Sequence, residues 1–426
     1  MRSIITFLFV ISGCLMMSAQ EFQTSLDFRD RFELRHGFGT LFPDGAEPAA
    51  FVRQRARLNV GYTHDWVDLQ FSVQDISTWG DTRQILPQDD NGSLMIFEAW
   101  AKLKWQEKWS LKLGRQVISY DDQRILGGLD WAMQGRTHDA ALIRHQNNGL
   151  KIDLAFAFNQ QNEPLIGNAY PVTGFFSYKT MQFLHMTKSW EKGSTSFLFL
   201  NNGFQNFTGP DNDIADGVYY RQTTGLYTKN PVGEDLALEG FAYLQFGKAT
   251  NETDLSAYDV GLEATYKPGN TLFGLGFEML SGTDQDGESK NKSFFPLYGT
   301  NHKFNGFMDY FYVGNHANNV GLNDLFARVT FKTGEKSNLL VKGHYFAANA
   351  DLSGGTDKYL GTELDLVFTQ KLFTFATLNL GYSHMFASDS MSLIKGGTTN
   401  DNTNYWGWAQ IKINPVLFKH SWADHQ

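Results

Sequence analysis

The chain has 426 residues, and its 45 acidic side chains outnumber its 36 basic ones, which gives a formal net charge of −9. This acidic balance argues against a nucleic-acid-binding protein, but it does not say where individual arginines point. Aromatic residues make up 15% of the chain, and beyond the N-terminal region no stretch is long and apolar enough for a membrane-spanning helix.

The first residues have the organisation of a secretory signal peptide. A charged region at Arg2 precedes an apolar run, and small residues lead up to Ala19. We therefore predict a signal peptide at residues 1–19 and one mature domain at residues 20–426. The alternative is a lipobox that ends at Cys14, which would make this cysteine a lipidated N-terminus. Cleavage after Ala19 would leave a mature chain without cysteine, and therefore without disulfides or thiolate metal sites.

Alternation of apolar and polar residues predicts β-strands along the mature chain. Residues 26–35, for example, place mostly leucine and phenylalanine on one face and charged side chains on the other, which is the period of a strand with one dry face. We predict eighteen strands near residues 26–35, 52–62, 66–75, 96–105, 109–117, 138–145, 150–159, 177–188, 195–201, 218–229, 235–247, 256–266, 271–280, 324–332, 338–347, 358–369, 373–386 and 404–414.

The connections between these strands alternate in length. Those after even-numbered strands are short, as at residues 63–65 and 106–108, and most carry the Gly, Asn, Asp or Pro that tight turns use. Those after odd-numbered strands are mostly longer. Aromatic residues such as Tyr62, Trp66 and Trp105 flank the short turns, as in the interfacial girdle of a membrane barrel.

Together these features predict an all-β fold, a transmembrane antiparallel β-barrel of about eighteen strands. Short periplasmic turns and long extracellular loops would place both termini in the periplasm and the barrel in the outer membrane of a Gram-negative bacterium. A secreted soluble β-sandwich is the alternative, but it has no reason to alternate short and long connections.

Arginines are concentrated on the polar faces of the first two predicted strands. If the apolar faces meet lipid, these guanidinium groups line a lumen, where they would bind carboxylates and favour anions. In the alternative interpretation, acidic residues on the same faces pair with the arginines and only fill the lumen. The candidate pathway residues are Arg29, Arg31, Arg53, Arg55 and Arg57.

The stretch from Trp109 to Asp139 joins a short strand to a polar segment. Arg115, Arg124 and Arg136 are interleaved there with aspartates and glycines. The segment is too polar for a core and too rich in arginine and aromatic residues for an ordinary loop. We interpret it as a strand that enters a loop folded over, or into, a charged interior, with the side on which Arg115 lies left open.

This stretch resembles a known family. Gly114–Gln116, Tyr120–Gly127, Trp131 and Gly135–Ala140 are similar in order and spacing to a motif of the alginate export family of outer-membrane barrels. The resemblance implies an eighteen-stranded barrel that passes an anionic polysaccharide.

Phe295–Phe304 and Gly306–Tyr310 look like a second motif, one of Bacteroidetes-type members of that family. The resemblance implies that Arg115, Arg124 and Arg136 are the motif positions that line the pathway.

The longest predicted connection, Ser281–Asn323, contains the second motif and mixes aromatic side chains with amides. Such mixtures often hold sugars, so this connection is a candidate sugar-binding surface. The alternative is a loop packed on itself over the barrel mouth. A further strand pair near Phe307–Val313 would change the strand count.

Metal and catalytic patterns are weak. Asp211–Asp213 with Asp216 is near a calcium loop but off its spacing, and no Glu occupies the twelfth position. His138, Asp139 and His384 have no accompanying nucleophile motif. We predict no cofactor, no built metal site and no enzyme activity, although acidic outer loops would bind divalent ions loosely.

The sequence thus predicts an outer-membrane channel through which an alginate-like anionic polysaccharide or oligosaccharide diffuses passively along an arginine-lined lumen. Its expected partners are that saccharide and outer-membrane lipid, with no nucleic acid and a monomeric barrel. A general anion-selective porin is one alternative. A non-conducting barrel that binds sugars at the surface is another.

Overall fold

The computed structural model describes residues 20–82, 94–172, 177–211, 213–287, 290–311, 320–395 and 401–422. The predicted signal peptide at residues 1–19 lies outside these ranges, together with the alternative lipidation site Cys14. Among the described residues, no helix is long and apolar enough to cross a membrane.

The described chain is built mainly from the strands of one antiparallel sheet. Helical structure in the described ranges is confined to a short helix α1 at Asp389–Ile394 and 3-10 turns at Asn301–Lys303 and Ser353–Gly355. The strands are β1 Gln20–His36, β2 Ala49–Thr63, β3 Val67–Thr78, β4 Met95–Trp105, β5 Trp109–Gln116, β6 His138–Asn147, β7 Leu150–Phe158, β8 Thr180–Ser189, β9 Ser194–Thr208, β10 Ile214–Val232, β11 Leu236–Lys248, β12 Asp254–Tyr266, β13 Thr271–Leu280, β14 Leu322–Gly334, β15 Ser337–Ala347, β16 Tyr359–Phe373, β17 Ala376–Ala387, β18 Asn404–Ile413 and β19 Val416–Trp422.

The sheet closes into a barrel because β1 pairs with β2 on one side and with β18 and β19 on the other. Pro415 separates β18 from β19, and proline has no amide hydrogen to give to the ladder. The two segments are therefore halves of one last strand. The barrel has eighteen strands, as predicted, and each predicted strand overlaps an observed one. The further strand pair near Phe307–Val313 does not form over 307–311, and residues 312–319 lie outside the described ranges.

The alternation of exposure along each strand shows which face meets the membrane. On β3, Leu69 and Phe71 are 43% and 46% exposed, whereas Ser72 and Gln74 are buried. Apolar side chains therefore point outward and polar ones inward, the reverse of a soluble β-sandwich. Because the sheet is closed, every strand finds hydrogen-bond partners without water, as a membrane requires.

The two ends of the barrel differ. Short turns follow the even-numbered strands at the periplasmic end, and Trp66, Trp105 and Trp109 stand exposed beside them. Long connections follow most odd-numbered strands at the other end. Two of these are central to the interior: loop L3 is residues 117–137, and loop L7 is Ser281–Gly321, of which 288–289 and 312–319 are outside the described ranges.

The hydrophobic core lies inside the barrel and is made by its loops together with inward side chains of the strands. Ile125 and Leu126 of L3 and Leu297 and Tyr298 of L7 are almost fully buried, in one cluster with inward side chains such as Trp406. A barrel of this size would otherwise enclose a wide aqueous lumen. Loops L3 and L7 therefore decide how much of that lumen remains open.

Candidate solute pathway

Loop L3 lies inside the barrel and contacts two separate parts of its wall, at β1 and at β13. Near its end, the carboxylate of Asp130 accepts a hydrogen bond from Arg29 of β1 at 3.0 Å. Near its start, Arg124 donates to Glu278 of β13, with Nη1 2.6 Å from each carboxylate oxygen. The charged residues that made this segment unusual in the sequence thus hold it inside the barrel.

Loop L7 lies against L3 inside the barrel. The amide of Tyr298 donates to the carbonyl of Ile125 at 3.1 Å, and the amide of Gly127 donates back to Tyr298 at 2.9 Å. A Cβ added to Gly299 would lie 2.1 Å from the carbonyl oxygen of Arg124, so only glycine permits this approach. The second sequence motif therefore packs into the barrel interior on L3 and does not cap the mouth as a loop packed on itself.

The barrel wall holds L7 through acidic side chains. Glu363 of β16 accepts the amide of Met308 at 2.9 Å, and Glu278 accepts the amide group of Asn305 at 2.7 Å. The hydroxyl of Tyr310 donates to the carbonyls of Gly37 and Thr40 in the first outer loop. These contacts make L7 part of the interior structure.

Arg124 is a clamp between L3 and the wall. Its side chain is 8% exposed, and its guanidinium lies 3.5 Å from the ring centroid of Phe304. Burial alone would lower the pKa of Arg124, but the carboxylates of Glu278 and Asp122 outweigh burial and raise that pKa above its ordinary value. Arg124 forms part of a cavity wall, yet its charge is already balanced by these acids.

Arg115 does not line the lumen, so its predicted place on the pathway was wrong. It has the same parity on β5 as Leu113, which is 44% exposed, and it forms two 2.9 Å hydrogen bonds with Asp139 of β6. Their side chains are 44% and 54% exposed. The regular alternation of the strand carries Arg115 to the outer face, where the ion pair lowers the cost of exposing two charges.

The five candidate arginines of β1 and β2 point inward, but four of these five have partners within the protein. Arg55 is fully buried and contacts Asp27 and Asp130, and Arg29 shares both carboxylates. The guanidinium groups of Arg31 and Arg57 each have their own partners. Arg31 pairs with Glu33 and donates to the carbonyl of Trp131, while Arg57 bonds to Gln74 and lies over the ring of Phe97.

Arg53 and Arg136 are the other two predicted pathway residues. Arg53 has no ion pair among the described residues, and its Nε has no hydrogen-bond partner there. Arg136 donates to the carbonyl of Gly299 at 2.9 Å and therefore helps to hold L7 on L3. The alternative in which lumen charges mainly satisfy one another thus describes most of these arginines.

Two cavities remain open beside the loops. The larger, about 400 Å³, lies between the loops and strands β10 to β15, and it has lining residues of both signs, including Lys303, Lys342 and Glu263. The smaller, about 180 Å³, lies between the start of L3 and strands β4 to β6. A solute in either cavity would contact side chains of the barrel wall.

The smaller cavity is strongly basic. Lys102, Lys112 and Arg144 line it with Trp100, and none of the described residues that line it is acidic. The ammonium of Lys112 lies 3.9 Å from the ring centroid of Trp100. Lys102 and Arg144 also line a cavity of about 670 Å³ at the periplasmic end, so the two spaces share a basic wall.

Sequence reasoning missed most of this basic wall. Lys102 and Arg144 have inward parity on β4 and β6, as Lys112 does on β5, so strand parity was the available signal. Candidate pathway residues were instead predicted on β1 and β2, because arginines are concentrated there.

The histidines weighed as catalytic candidates in the sequence contact tyrosine hydroxyls. His138 is buried, and its Nδ1 lies 3.0 Å from the hydroxyl of Tyr178. His384 is on the outer face of β17, beside the hydroxyl of Tyr382. Among the described residues, no group of three His, Cys, Asp or Glu side chains is arranged to hold a metal ion.

Comparison with known proteins gives no match among protein-family models and none among curated proteins. Solved structures do share the architecture. OccK11 (OpdR) of Pseudomonas aeruginosa has a TM-score of 0.60 and 13% identity, covering 93% of this chain and 96% of its own. A BenF-like porin from Pseudomonas fluorescens Pf-5 has a TM-score of 0.61 and 15% identity, and the match covers 93% of this chain and 99% of that porin. OccK2 (OpdF) of P. aeruginosa, solved in complex with glucuronate, has a TM-score of 0.59 and 14% identity. The match covers 93% of this chain and 98% of OccK2.

The chain has the fold of an outer-membrane porin. At these identities the likeness shows the fold alone, and it gives no support to the resemblance to the alginate export family. A closed barrel with an apolar outer face is the form in which strands cross the Gram-negative outer membrane, so the predicted localisation is confirmed.

Proposed function

We propose that this protein is an outer-membrane channel for passive diffusion of carboxylate-bearing solutes, and more finely of uronate saccharides. The observation that carries the proposal is the small cavity under L3, where three cations and a tryptophan ring meet without an acidic lining residue. Such groups bind carboxylates through charge-assisted hydrogen bonds.

The mechanism is electrostatic. The charges of Lys102, Lys112 and Arg144 lower the cost for a carboxylate that leaves bulk water, and the flat face of Trp100 gives a sugar ring an apolar surface. Lys102 is also 3.3 Å from Asp68, and Arg144 is 2.6 Å from Asp153. These acids keep binding weak enough for the solute to leave.

The filled interior bears on the size of the solute. Loops L3 and L7 leave cavities of about 400 and 180 Å³ where a wide lumen would otherwise lie. This favours single sugar acids or an extended, alginate-like chain that moves one unit at a time. The glucuronate bound to the structurally similar OccK2 is a solute of that class. A general anion-selective porin is the second candidate, favoured by the mixed charges of the larger cavity.

We also propose that residues 1–19 are removed as a signal peptide and that residues 20–426 form one monomeric barrel surrounded by outer-membrane lipid. Mass spectrometry of the mature protein would give Gln20 as its first residue. A lipidated Cys14 would contradict this maturation.

Single-channel recording in planar bilayers tests the channel. We expect anion-selective current that an oligouronate blocks, and several-fold weaker block for Lys112→Gln because one cavity cation is lost. Arg115→Gln is a matched control, since it removes one charge from the opposite face of the same strand. Cation-selective current that oligouronate does not affect would contradict the proposal. Silence with tight glycan binding would favour a non-conducting sugar-binding barrel.

A further inference from the structure

Asp130 places a carboxylate in a site made by three cations. Its oxygens lie 3.0 Å from Arg29, 3.2 Å from Arg55 and 3.5 Å from Lys412. These cations come from β1, β2 and β18, the strands that close the barrel. One acidic side chain of a loop thus converges with three wall residues that are far from it in the sequence.

Asp130 covers this site on its open side. Its side chain is 62% exposed, whereas those of Arg29 and Arg55 are 2% and 0% exposed and that of Lys412 is 33% exposed. The arginines are therefore shielded by Asp130 and by the loop that carries it. A solute beside L3 would meet the aspartate first, with Lys412 at its edge.

The loop also makes contacts with the wall that do not involve this carboxylate. Arg29 donates to the main-chain carbonyl of Asp130 at 2.6 Å, and Arg55 donates to that of Met133 at 3.1 Å. Arg31 donates in the same way to Trp131 at 2.8 Å. These three bonds use main-chain carbonyls and do not involve the side chain of Asp130.

The site carries more positive than negative charge. Asp27 is the other carboxylate within reach of Arg29 and Arg55, so three cations face two carboxylates. The Nε atoms of Arg29 and Arg55 are buried without a hydrogen-bond partner among the described residues. Buried donors of this kind are costly unless a partner reaches them.

The charge of Asp130 is permanent under physiological conditions. Desolvation by the surrounding loop and wall would raise the pKa of its carboxyl, but Arg29, Lys412 and Arg55 outweigh this effect and hold that pKa at about 2. The aspartate is thus an anion whenever a solute carboxylate is one.

We propose that the Asp130 carboxylate is a built-in competitor of the solute, occupying a binding site for sugar-acid carboxylates formed by Arg29, Arg55 and Lys412. This inference rests on the proposed function and deepens it. By holding the site, Asp130 weakens the affinity of the arginine wall for acidic solutes, so that a solute is passed on instead of being trapped. Asp130 is therefore a residue that determines specificity, although it is itself acidic.

Calorimetric titration of the purified full-length barrel with glucuronate tests the inference without relying on conduction. Asp130→Ala removes both the charge and the cover, so its Kd should fall about tenfold, which corresponds to about 1.4 kcal/mol. Asp130→Asn keeps the shape and should give a smaller gain. Asp235→Ala, which removes the same charge from an exposed periplasmic turn, should leave the Kd unchanged.

The gain in glucuronate affinity of Asp130→Ala is expected to come from Arg29, Arg55 and Lys412. Adding Lys412→Gln to Asp130→Ala should therefore reduce that gain. An unchanged or raised Kd in both Asp130 variants, with the barrel folded by circular dichroism, would overturn the inference. If Asp130→Ala does not fold, the Asp130→Asn titration decides by the same criterion.

Recording the same variants in bilayers separates the two claims. Suppose that the wild-type current is anion-selective and blocked by uronate, but the glucuronate Kd is unchanged in the Asp130 variants. This result would support the proposed channel and contradict the competitor role of Asp130. A wild-type barrel without anion selectivity would contradict the proposed channel. Tighter glucuronate binding by Asp130→Ala would still support the carboxylate-binding site.

Discussion

Arg124 and Glu278 join loop L3 to strand β13 across the inside of the barrel, with the arginine Nη1 2.6 Å from both carboxylate oxygens. Both side chains are nearly inaccessible, at 8% and 2% exposure. A buried pair of this kind gives little net stability over an apolar pair, but removing one partner leaves an unpaired buried charge. The pair therefore makes the position of L3 sensitive to single substitutions.

Arg124→Ala should destabilise the barrel interior by about 3 to 5 kcal/mol, because Glu278 would lose its partner inside the protein. Thermal unfolding followed by circular dichroism, and cleavage of L3 by an added protease, would measure the effect. Lys248→Ala is the control, since it breaks the exposed pair with Asp254 and should change neither. Equal behaviour of the two variants would refute the role of Arg124 as a clamp.

Gly299→Ala should separate L7 from L3. The new Cβ would lie 2.1 Å from the carbonyl oxygen of Arg124, and a clash with backbone cannot be relieved by a side-chain rotation. We expect a larger single-channel conductance, because the displaced loop would open the lumen. Gly407→Ala, whose Cβ meets nothing within 4 Å, is the matched control. A Gly299→Ala conductance equal to that of wild type would mean that L7 does not narrow the pathway.

The free energy of unfolding should rise with pH above neutrality because Lys395 is buried close to L7. Burial lowers the pKa of Lys395 from 10.5 to about 7, and its ammonium donates to the carbonyl of Tyr310. Between pH 7 and 10.5 the unfolded chain holds a proton that the folded chain has released, so the free energy of unfolding rises with pH by up to about 1.4 kcal/mol per unit.

Lys395→Met should remove this dependence and stabilise the protein most at pH 6, where the folded protein must bury a charge. Denaturant unfolding at pH 6 and pH 9 would measure the difference. A wild-type protein that is less stable at pH 9 than at pH 6, with the same slope in the variant, would contradict the assignment.

The strands were predictable because alternation is local. Each residue of β3 or β5 takes its face from its neighbours, and closure follows from pairing consecutive strands. The same parity, applied strictly, also places Arg115 outside with Leu113, because a charge does not change the geometry of a strand. The break at Pro415 follows equally from local chemistry.

The partners of the arginines were not predictable in this way. Arg29 meets Asp130 across 101 positions of sequence, and Arg124 meets Glu278 across 154. These pairings depend on how two long loops fold into the lumen, and no periodicity encodes that. The sequence therefore predicted a charged interior correctly, but not that its arginines would be largely occupied or that lysines would line the smaller cavity.

The most direct test of the central claim is the flux of single sugars into liposomes that contain the purified barrel. Glucuronate and glucose are similar in size, so a difference between their rates reports charge recognition by the lumen. We predict that glucuronate enters faster than glucose and that Lys112→Gln reduces the ratio of the glucuronate rate to the glucose rate. Equal rates, or faster entry of glucose, would contradict a channel for carboxylate-bearing solutes.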